Sequence, residues 1–179
     1  EKPLLDTFYV GSVPAASPKK VLLFDVTGVR CNNCPKAAAL AKNLASANSG
    51  RIEVVALYPK TPMSLTYPWA GFDTMSTVEA DQIATAMGGI TSLPLGSVDQ
   101  VSYNGSKLLN TSDWGAAVTA QLTKTSPFNL EIKSTWKPTE GRARVEVKAT
   151  ANTTITANYK WVMAITESGV KSKQSDQDA

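Results

Sequence analysis

Two cysteines, Cys31 and Cys34, stand where a predicted strand gives way to a predicted helix, and no other motif narrows the possible folds as much. They are the only cysteines in the chain. The apolar run Val21–Val26 precedes them, Gly28 interrupts that run, and an alanine-rich helical pattern follows. Unpaired backbone N–H groups at a helix start favour the thiolate over the thiol. The spacing therefore predicts a redox-active dithiol at a β-α junction.

The sequence contains no histidine. This excludes Ser-His-Asp and Cys-His catalysis, histidine metal ligands and an imidazole proton shuttle. Two cysteines without histidine could hold a structural zinc ion only by adding carboxylates or a second chain. We therefore predict no metal site and no cofactor.

Composition and charge narrow the class of protein further. The 179 residues are 42% hydrophobic and 18% charged, which is typical of a globular chain able to bury a core. The net charge of +3 is small, and because the lysines and arginines are scattered we predict no nucleic-acid partner. No apolar run approaches the length of a membrane-spanning helix. The chain begins at Glu1, so we expect a mature or trimmed form.

Strand and helix patterns alternate through the predicted first domain, residues 19–125. A short strand at 4–10 and a linker make up residues 1–18. Helical spacing from Cys34 to about residue 48, and an apolar run at 52–57, complete a parallel, right-handed β-α-β unit with the first strand.

The second half of this domain is predicted from capping and turn signals. A capping box at 76–79 begins a helix that ends at two glycines. Leu93 and Pro94 introduce a strand, and the Asn-Gly pair at 104–105 predicts a hairpin with 107–109 as its returning strand. A last helix begins at Thr111 or Ser112.

The pattern changes to a period of two after Pro127. Runs at 128–136, 143–149 and 159–165 alternate apolar and polar residues, as antiparallel strands with one buried face do. We predict a β-sandwich domain over 126–179. Three strands are few for independent stability, so either the strand at 4–10 joins them or the chain stops partway through a larger domain. The polar segment from residue 171 is predicted to be a loop or a frayed end.

The order of elements in residues 19–125 is similar to the thioredoxin fold. The Cys-x-x-Cys pair lies at the matching junction, and Pro94 lies where that family carries a cis-proline beside the dithiol. Asp25 lies where the family often has a buried acid that takes a proton from the second thiol. The resemblance implies a thioredoxin-like α/β domain. With the alternating runs after Pro127, the predicted fold class is this domain followed by a small all-β, immunoglobulin-like sandwich domain.

Residues 27–37 resemble a narrower group, the Omp28-related outer-membrane proteins of Bacteroides-like bacteria. The shared features are the Thr-Gly-x-x-Cys-x-Asn-Cys-Pro core, the small-residue helix after it, and a Pro-Leu-Gly strand start at 94–96. Residues 164–169 also look like the β-domain of that group. The resemblance implies an exported protein of the cell envelope, associated with the membrane only through an N-terminal lipid anchor outside this chain.

Each cysteine has a functional and a structural interpretation. In the first, Cys31 is the attacking thiol and Cys34 the resolving thiol. In the second, the pair is an inert disulfide, although closing so short a loop gains only roughly 2 kcal/mol against roughly 3 kcal/mol for a 15-residue loop. The pair Asn32-Asn33 replaces the Gly-Pro common in thioredoxins.

Asp25, Leu93 and Pro94 also carry two interpretations each. Asp25 is a proton acceptor, since burial in a central strand would raise its pKa, or a strand-end acid hydrogen-bonded to the next loop. A cis bond before Pro94 would place the Leu93 backbone beside the sulfurs, ready to pair with an extended peptide. The alternative is an ordinary trans proline at a strand start.

A long excursion at 59–75 leaves the same sheet edge as the cysteine loop, where ligands usually bind. Its aromatic residues Tyr67, Trp69 and Phe72 are candidates to line a groove beside Cys31, and Arg30 adds positive charge there. The alternative is that these rings pack only against their own loop.

Three functions follow from these residues. The first is thiol-disulfide exchange with protein thiols or disulfides through a mixed disulfide on Cys31. The second is a non-catalytic surface binding or assembly module, whose partner would be another envelope protein and whose disulfide is structural. A metallochaperone using two thiolates is the third. Exposure of Cys31 separates the first two, because burial under the 59–75 excursion would disfavour exchange.

Overall fold

A computed structural model describes residues 17–176, which divide into two compact units. The larger unit comprises residues 19–124 and 162–176, and the smaller one comprises residues 17–18 and 125–161. The strand predicted at residues 4–10 lies outside the described residues.

The larger unit is built on a three-stranded mixed sheet. Its strands are β1 (Val21–Val26), β2 (Ile52–Leu57) and β3 (Leu95–Val98), in the order β2-β1-β3. The central strand β1 runs parallel to β2 and antiparallel to β3. The predicted parallel β-α-β unit is therefore confirmed.

Four helices accompany this sheet within the described residues: α1 (Cys34–Ala47), α2 (Met63–Thr66), α3 (Val78–Ala86) and α4 (Thr111–Leu122). In α1, Pro35 lies in the first turn, where the missing N–H has no helical partner to lose. At the start of α3, the Thr77 side chain accepts a hydrogen bond of 3.0 Å from the Ala80 backbone N–H. The predicted helix is confirmed, but its N-cap is Thr77 and not Ser76, the first residue of the capping box predicted at 76–79.

Apolar side chains pack on both faces of the sheet. Val21 and Leu23 point to one face, in a cluster with buried residues of α1 and α4. Phe24 and Val26 point to the other, in a cluster with buried residues of α3. Because side chains alternate along a strand, Asp25 shares the face of Val21 and Leu23. The strand therefore aims an acid at the side that α1 covers, and α1 begins with Cys34.

The smaller unit contains an antiparallel hairpin of β4 (Phe128–Lys137) and β5 (Arg142–Ala151). Phe128 lies opposite Ala151, and Lys137 lies opposite Arg142 at the turn. Most side chains of both strands are exposed. Phe128 makes edge-to-face ring contacts with Tyr159 and Trp161, at centroid distances of 5.0 and 5.1 Å.

The predicted fold class, a thioredoxin-like domain followed by an immunoglobulin-like sandwich, is wrong. The described residues form sheets of only three and two strands, together with the four helices. Residues 159–165 form no strand. An alternating pattern becomes a strand only when a neighbour satisfies its backbone N–H and C=O groups, and within the described residues none pairs with this run.

The predicted returning strand at 107–109 is also wrong. It is reduced to one bridge, in which Gly96 and Leu109 exchange backbone hydrogen bonds of 2.9 and 2.8 Å. The Ser106 hydroxyl donates to the Leu108 C=O at 2.7 Å and accepts from the Leu108 N–H at 3.1 Å. This local bonding takes both backbone groups of Leu108 out of any strand ladder.

Candidate functional site

Cys31 and Cys34 form a disulfide with an S–S distance of 2.05 Å. Cys34 is the first residue of α1, and Cys31 ends the loop that leaves β1. Both residues are buried, with 2% and 1% of their surfaces exposed. In the state that the structure shows, the sulfur pair is therefore closed to large reagents.

Asp25 is a buried acid on the central strand. It lies opposite Ala56 of β2 and Gly96 of β3, and only 3% of its surface is exposed. Its Oδ1 has no hydrogen-bond partner among the described residues. Burial disfavours the charged carboxylate and raises the pKa of Asp25 from 3.8 to about 7. The pKa of Tyr58 is raised by its own burial and by the charge of Asp25.

Leu93 and Pro94 lie beside residues 27–33, the loop between β1 and α1, here called the cysteine loop. The peptide bond that joins them is cis. A Cβ atom built on Gly28 would lie 2.9 Å from Leu93 Cδ1 and 2.4 Å from the backbone oxygen of Leu65. Only a glycine at position 28 admits such close neighbours, so the cysteine loop is packed between the 92–94 loop and α2.

A groove of about 460 Å³ opens on the α1 side of this loop. Its walls come from the first two turns of α1, the 92–94 loop and the start of α4. Asn33, between the two cysteines, and Pro94 both line it. The groove therefore lies next to the loop that carries the disulfide.

Arg30 joins the cysteine loop to the 59–75 excursion. Its guanidinium donates from Nε to the Tyr67 C=O at 2.9 Å and from Nη2 to the Pro68 C=O at 3.0 Å. The same group lies 4.2 Å from the centre of the Trp69 ring, a cation-π contact. Trp69 Nε1–H donates to the Val29 C=O at 3.2 Å. These contacts hold the excursion against the residues that precede Cys31.

The three aromatic candidates separate in the structure. Tyr67 and Trp69 contact Arg30 and so reach the cysteine loop. The Phe72 side chain is 41% exposed, and its backbone N–H donates to the Trp69 C=O within the excursion itself. Trp69 therefore lies against the cysteine loop, whereas Phe72 is exposed.

Sequence reasoning missed two residues, Gln174 and Ser175, which are distant in sequence and lie against the cysteine loop. The Gln174 side-chain N–H₂ donates to the Gly28 C=O at 3.1 Å and to the Cys31 C=O at 3.2 Å. The Ser175 backbone N–H donates to the Val29 C=O at 2.9 Å. No periodicity or motif marks this polar segment. The one signal that could have suggested its contact with the loop is Lys173, a cation that can lie over an aromatic ring of the 59–75 excursion.

Comparison with known proteins adds no identity: neither the known family models nor the curated proteins contain a match to this chain. Across residues 17–176, no helix is long and apolar enough to cross a membrane. Within the same residues, no three cysteine, aspartate or glutamate side chains gather into a group that could hold a metal ion.

Replacing Arg30 by alanine is expected to loosen the excursion at its contact with the cysteine loop. The change removes two hydrogen bonds and the cation over Trp69. Backbone amides of residues 62–72 should then exchange with solvent about tenfold faster, which corresponds to about 1.4 kcal/mol of local protection. Hydrogen–deuterium exchange read by mass spectrometry measures this.

Two variants serve as controls for that measurement. Arg30→Lys keeps the charge but lacks the fork that reaches two carbonyls, so an intermediate rate is expected. Lys42→Ala removes a cation from an exposed position of α1 and should leave the rate unchanged. Equal protection in Arg30→Ala and the unmodified protein would show that the contact does not hold the excursion.

Proposed function

We propose that the larger unit carries out thiol-disulfide exchange with a protein partner, using Cys31 and Cys34 as its redox pair. The observation that carries this proposal is the buried, partly unpaired carboxyl of Asp25 on the strand that leads into the pair. Cys31 is the sulfur that a partner attacks, and Cys34 is the sulfur that leaves and returns. Asp25 is the group that exchanges a proton with Cys34.

A buried carboxyl without a full set of partners destabilises a fold. Its oxygen loses hydration and gains no hydrogen bond, a cost of about 1–3 kcal/mol for a polar group and more for a charged one. An inert disulfide gains nothing from such a carboxyl. A proton acceptor does gain, because a pKa of about 7 lets Asp25 both take and return a proton near neutral pH.

The reaction balances without any further reagent. A partner thiolate attacks the Cys31 sulfur, the Cys31–Cys34 bond breaks, and the electron pair leaves on Cys34, which takes a proton from neutral Asp25. A second thiolate of the same partner then attacks the partner's sulfur in the mixed disulfide, and Cys31 leaves as a thiolate. Two electrons pass to the cysteine pair, and the partner gains a disulfide. The reverse sequence oxidises the pair when the partner brings a disulfide.

The groove beside the pair supports a polypeptide as the substrate. It is lined by Asn33 from within the cysteine motif and by Leu93 and Pro94. An extended segment lying there would pass next to the attacked sulfur, and backbone hydrogen bonds could hold it without requiring a particular sequence.

We further propose that this chemistry takes place in the cell envelope. The disulfide is formed, and disulfides persist in oxidising compartments such as the periplasm and the cell surface. The resemblance of residues 27–37 to Omp28-related proteins supports export and an N-terminal lipid anchor. The partner would then be another envelope protein that offers thiols or a disulfide.

A second candidate function is a binding or assembly module with a structural disulfide. The burial of Cys31, at 2% exposed, favours it by the exposure criterion. A permanently buried sulfur cannot be attacked by a protein thiolate, so this module would use the groove and leave the disulfide intact.

The reduction potential of the cysteine pair decides between the two functions. Thiol labelling of the full chain across graded glutathione and dithiothreitol buffers measures it. Exchange predicts a value above about −270 mV and fast labelling. A value below about −300 mV with slow labelling would establish a structural disulfide and leave the binding module.

Trapping identifies which sulfur is attacked. The Cys34→Ser variant cannot resolve a mixed disulfide, so with glutathione disulfide it should accumulate an adduct on Cys31, detected by mass spectrometry. Cys31→Ser is the matched control and should form little adduct, because in the proposed mechanism Cys34 reacts only with Cys31. Equal adducts in both variants would contradict the assignment of Cys31 as the attacked sulfur.

A further inference from the structure

Residues 173–175, here called the strap, lie across the loop that carries Cys31. Lys173 Nζ is 4.8 Å from the centre of the Trp69 ring. The Gln174 side chain donates to the carbonyls of Gly28 and Cys31, and the Ser175 N–H donates to the carbonyl of Val29. Three successive residues of the strap therefore each supply a different donor or cation.

At these contacts, the surface under the strap presents hydrogen-bond acceptors to the strap's donors and an aromatic face to its cation. The carbonyl oxygens of Gly28, Val29 and Cys31 can accept hydrogen bonds and cannot donate them. The face of Trp69 attracts a cation because an indole ring carries negative charge density on its faces. A ligand that makes the same contacts as the strap brings a cation, an amide and a backbone N–H, in the order in which the strap brings them.

We propose that this surface is a docking site for an extended polypeptide, and that the strap is its intramolecular occupant. The partner segment carries a lysine or arginine, then a glutamine or asparagine, then a residue with a free backbone N–H. The inference deepens the proposed function and rests on it, since a segment bound there touches the backbone of Cys31 itself. A partner that displaces the strap arrives beside the disulfide that it exchanges with.

The nature of the strap contacts makes displacement feasible. Lys173 and Gln174 are largely exposed, and Ser175 is half-buried, so the strap covers no apolar core. Hydrogen bonds and cation-π contacts at such positions exchange against water with little net gain. The strap holds its place through its high effective concentration as part of the same chain, and a partner with the same groups competes with it.

The test uses the full chain with the double change Lys173→Ala and Gln174→Ala. Its control is Lys171→Ala with Ser172→Ala, which removes the same charge from the preceding residues. Amide signals of Gly28, Val29 and Cys31, and the Trp69 indole N–H signal, are followed by NMR. The rate at which dithiothreitol reduces the disulfide is measured in parallel.

The strap variant should shift these signals and be reduced about tenfold faster than the control, as expected if opening of the strap limits access. A synthetic peptide of residues 171–176, added to the strap variant, should move the signals back and slow reduction again. A peptide with alanine at the lysine and glutamine positions matching 173 and 174 should do neither.

Two results would overturn the inference. Unshifted signals in the strap variant would mean that the strap does not lie on the loop in solution. Absence of any shift when the peptide is added up to the millimolar effective concentration that the tethered strap experiences would mean that the surface does not dock a polypeptide. If the peptide moves the signals while the Cys34→Ser trap forms no adduct, the docking surface stands and exchange fails, so the two proposals are tested separately.

Discussion

Replacing Asp25 by asparagine is expected to raise the free energy of unfolding by an amount that grows with pH, by about 4 kcal/mol between pH 4 and pH 8. The pKa of this acid rises from 3.8 to about 7 on folding because burial disfavours its charge. At pH 8 the folded protein holds a buried carboxylate, whereas asparagine has no charge to bury. At pH 4 both side chains are essentially neutral in the fold, and the difference nearly vanishes.

The sign follows from proton binding. Between pH 4 and pH 7 the folded state keeps the Asp25 proton that the unfolded state has lost, so stability falls as the pH rises through this window. The variant lacks this fall. Urea unfolding at pH 4, 6 and 8 with the disulfide intact measures it.

An exposed acid supplies the matched control. Asp73→Asn should change the unfolding free energy by less than about 0.5 kcal/mol at every pH. A stability difference for Asp25→Asn that does not vary with pH would show that the carboxyl does not titrate between pH 4 and pH 8.

The same variant separates a catalytic acid from an inert one. If Asp25 exchanges a proton with Cys34, Asp25→Asn should slow reduction of the disulfide about 10²-fold at pH 7, a typical contribution of general acid–base catalysis. If Asp25→Asn is more stable than the unmodified protein but exchanges disulfides more slowly, Asp25 serves the reaction at the expense of stability. Greater stability with an unchanged rate would favour the binding module.

Replacing Trp114 by alanine is expected to lower the free energy of unfolding by about 3–5 kcal/mol, the usual cost of removing a large buried aromatic side chain. Trp114 is fully buried in the cluster between the sheet and the helices α1 and α4. Its Nε1–H donates to the Leu109 C=O at 3.2 Å. Urea unfolding at pH 7 measures the loss.

Gly96 tests the fit between this indole and β3. A Cβ atom at Gly96 would lie 2.4 Å from Trp114 Cε2 and Nε1, too close for any side chain. Gly96→Ala should therefore cost about 1–3 kcal/mol with Trp114 present and close to nothing in the Trp114→Ala background. Gly115→Ala is the control, because its Cβ would meet only Leu44 Cδ2 at 3.8 Å. If the costs of Gly96→Ala and Trp114→Ala simply add in the double variant, the close packing of the indole against Gly96 is contradicted.

Local patterns predicted most of the individual elements. The apolar run of β1, the helix after Cys34 and the helix that follows residues 76–79 are all confirmed, because propensity, capping and apolar spacing act over a few residues. The hairpin of β4 and β5 follows the predicted period of two. The fold class was wrong because it required strands at 107–109 and 159–165 to find partners, and pairing is a property of the whole fold.

The candidate site divides in the same way. The motif alone determined that Cys31 and Cys34 lie at a strand-to-helix junction, since short-range geometry and helix-start chemistry are written into adjacent residues. Only the tertiary structure decided that Asp25 is buried without a full set of partners, that Arg30 and Trp69 lock together, and that Gln174 reaches the cysteine loop from more than a hundred residues away. Such contacts depend on where distant segments come to lie, and a polar segment without periodicity carries no trace of its partner in its own sequence.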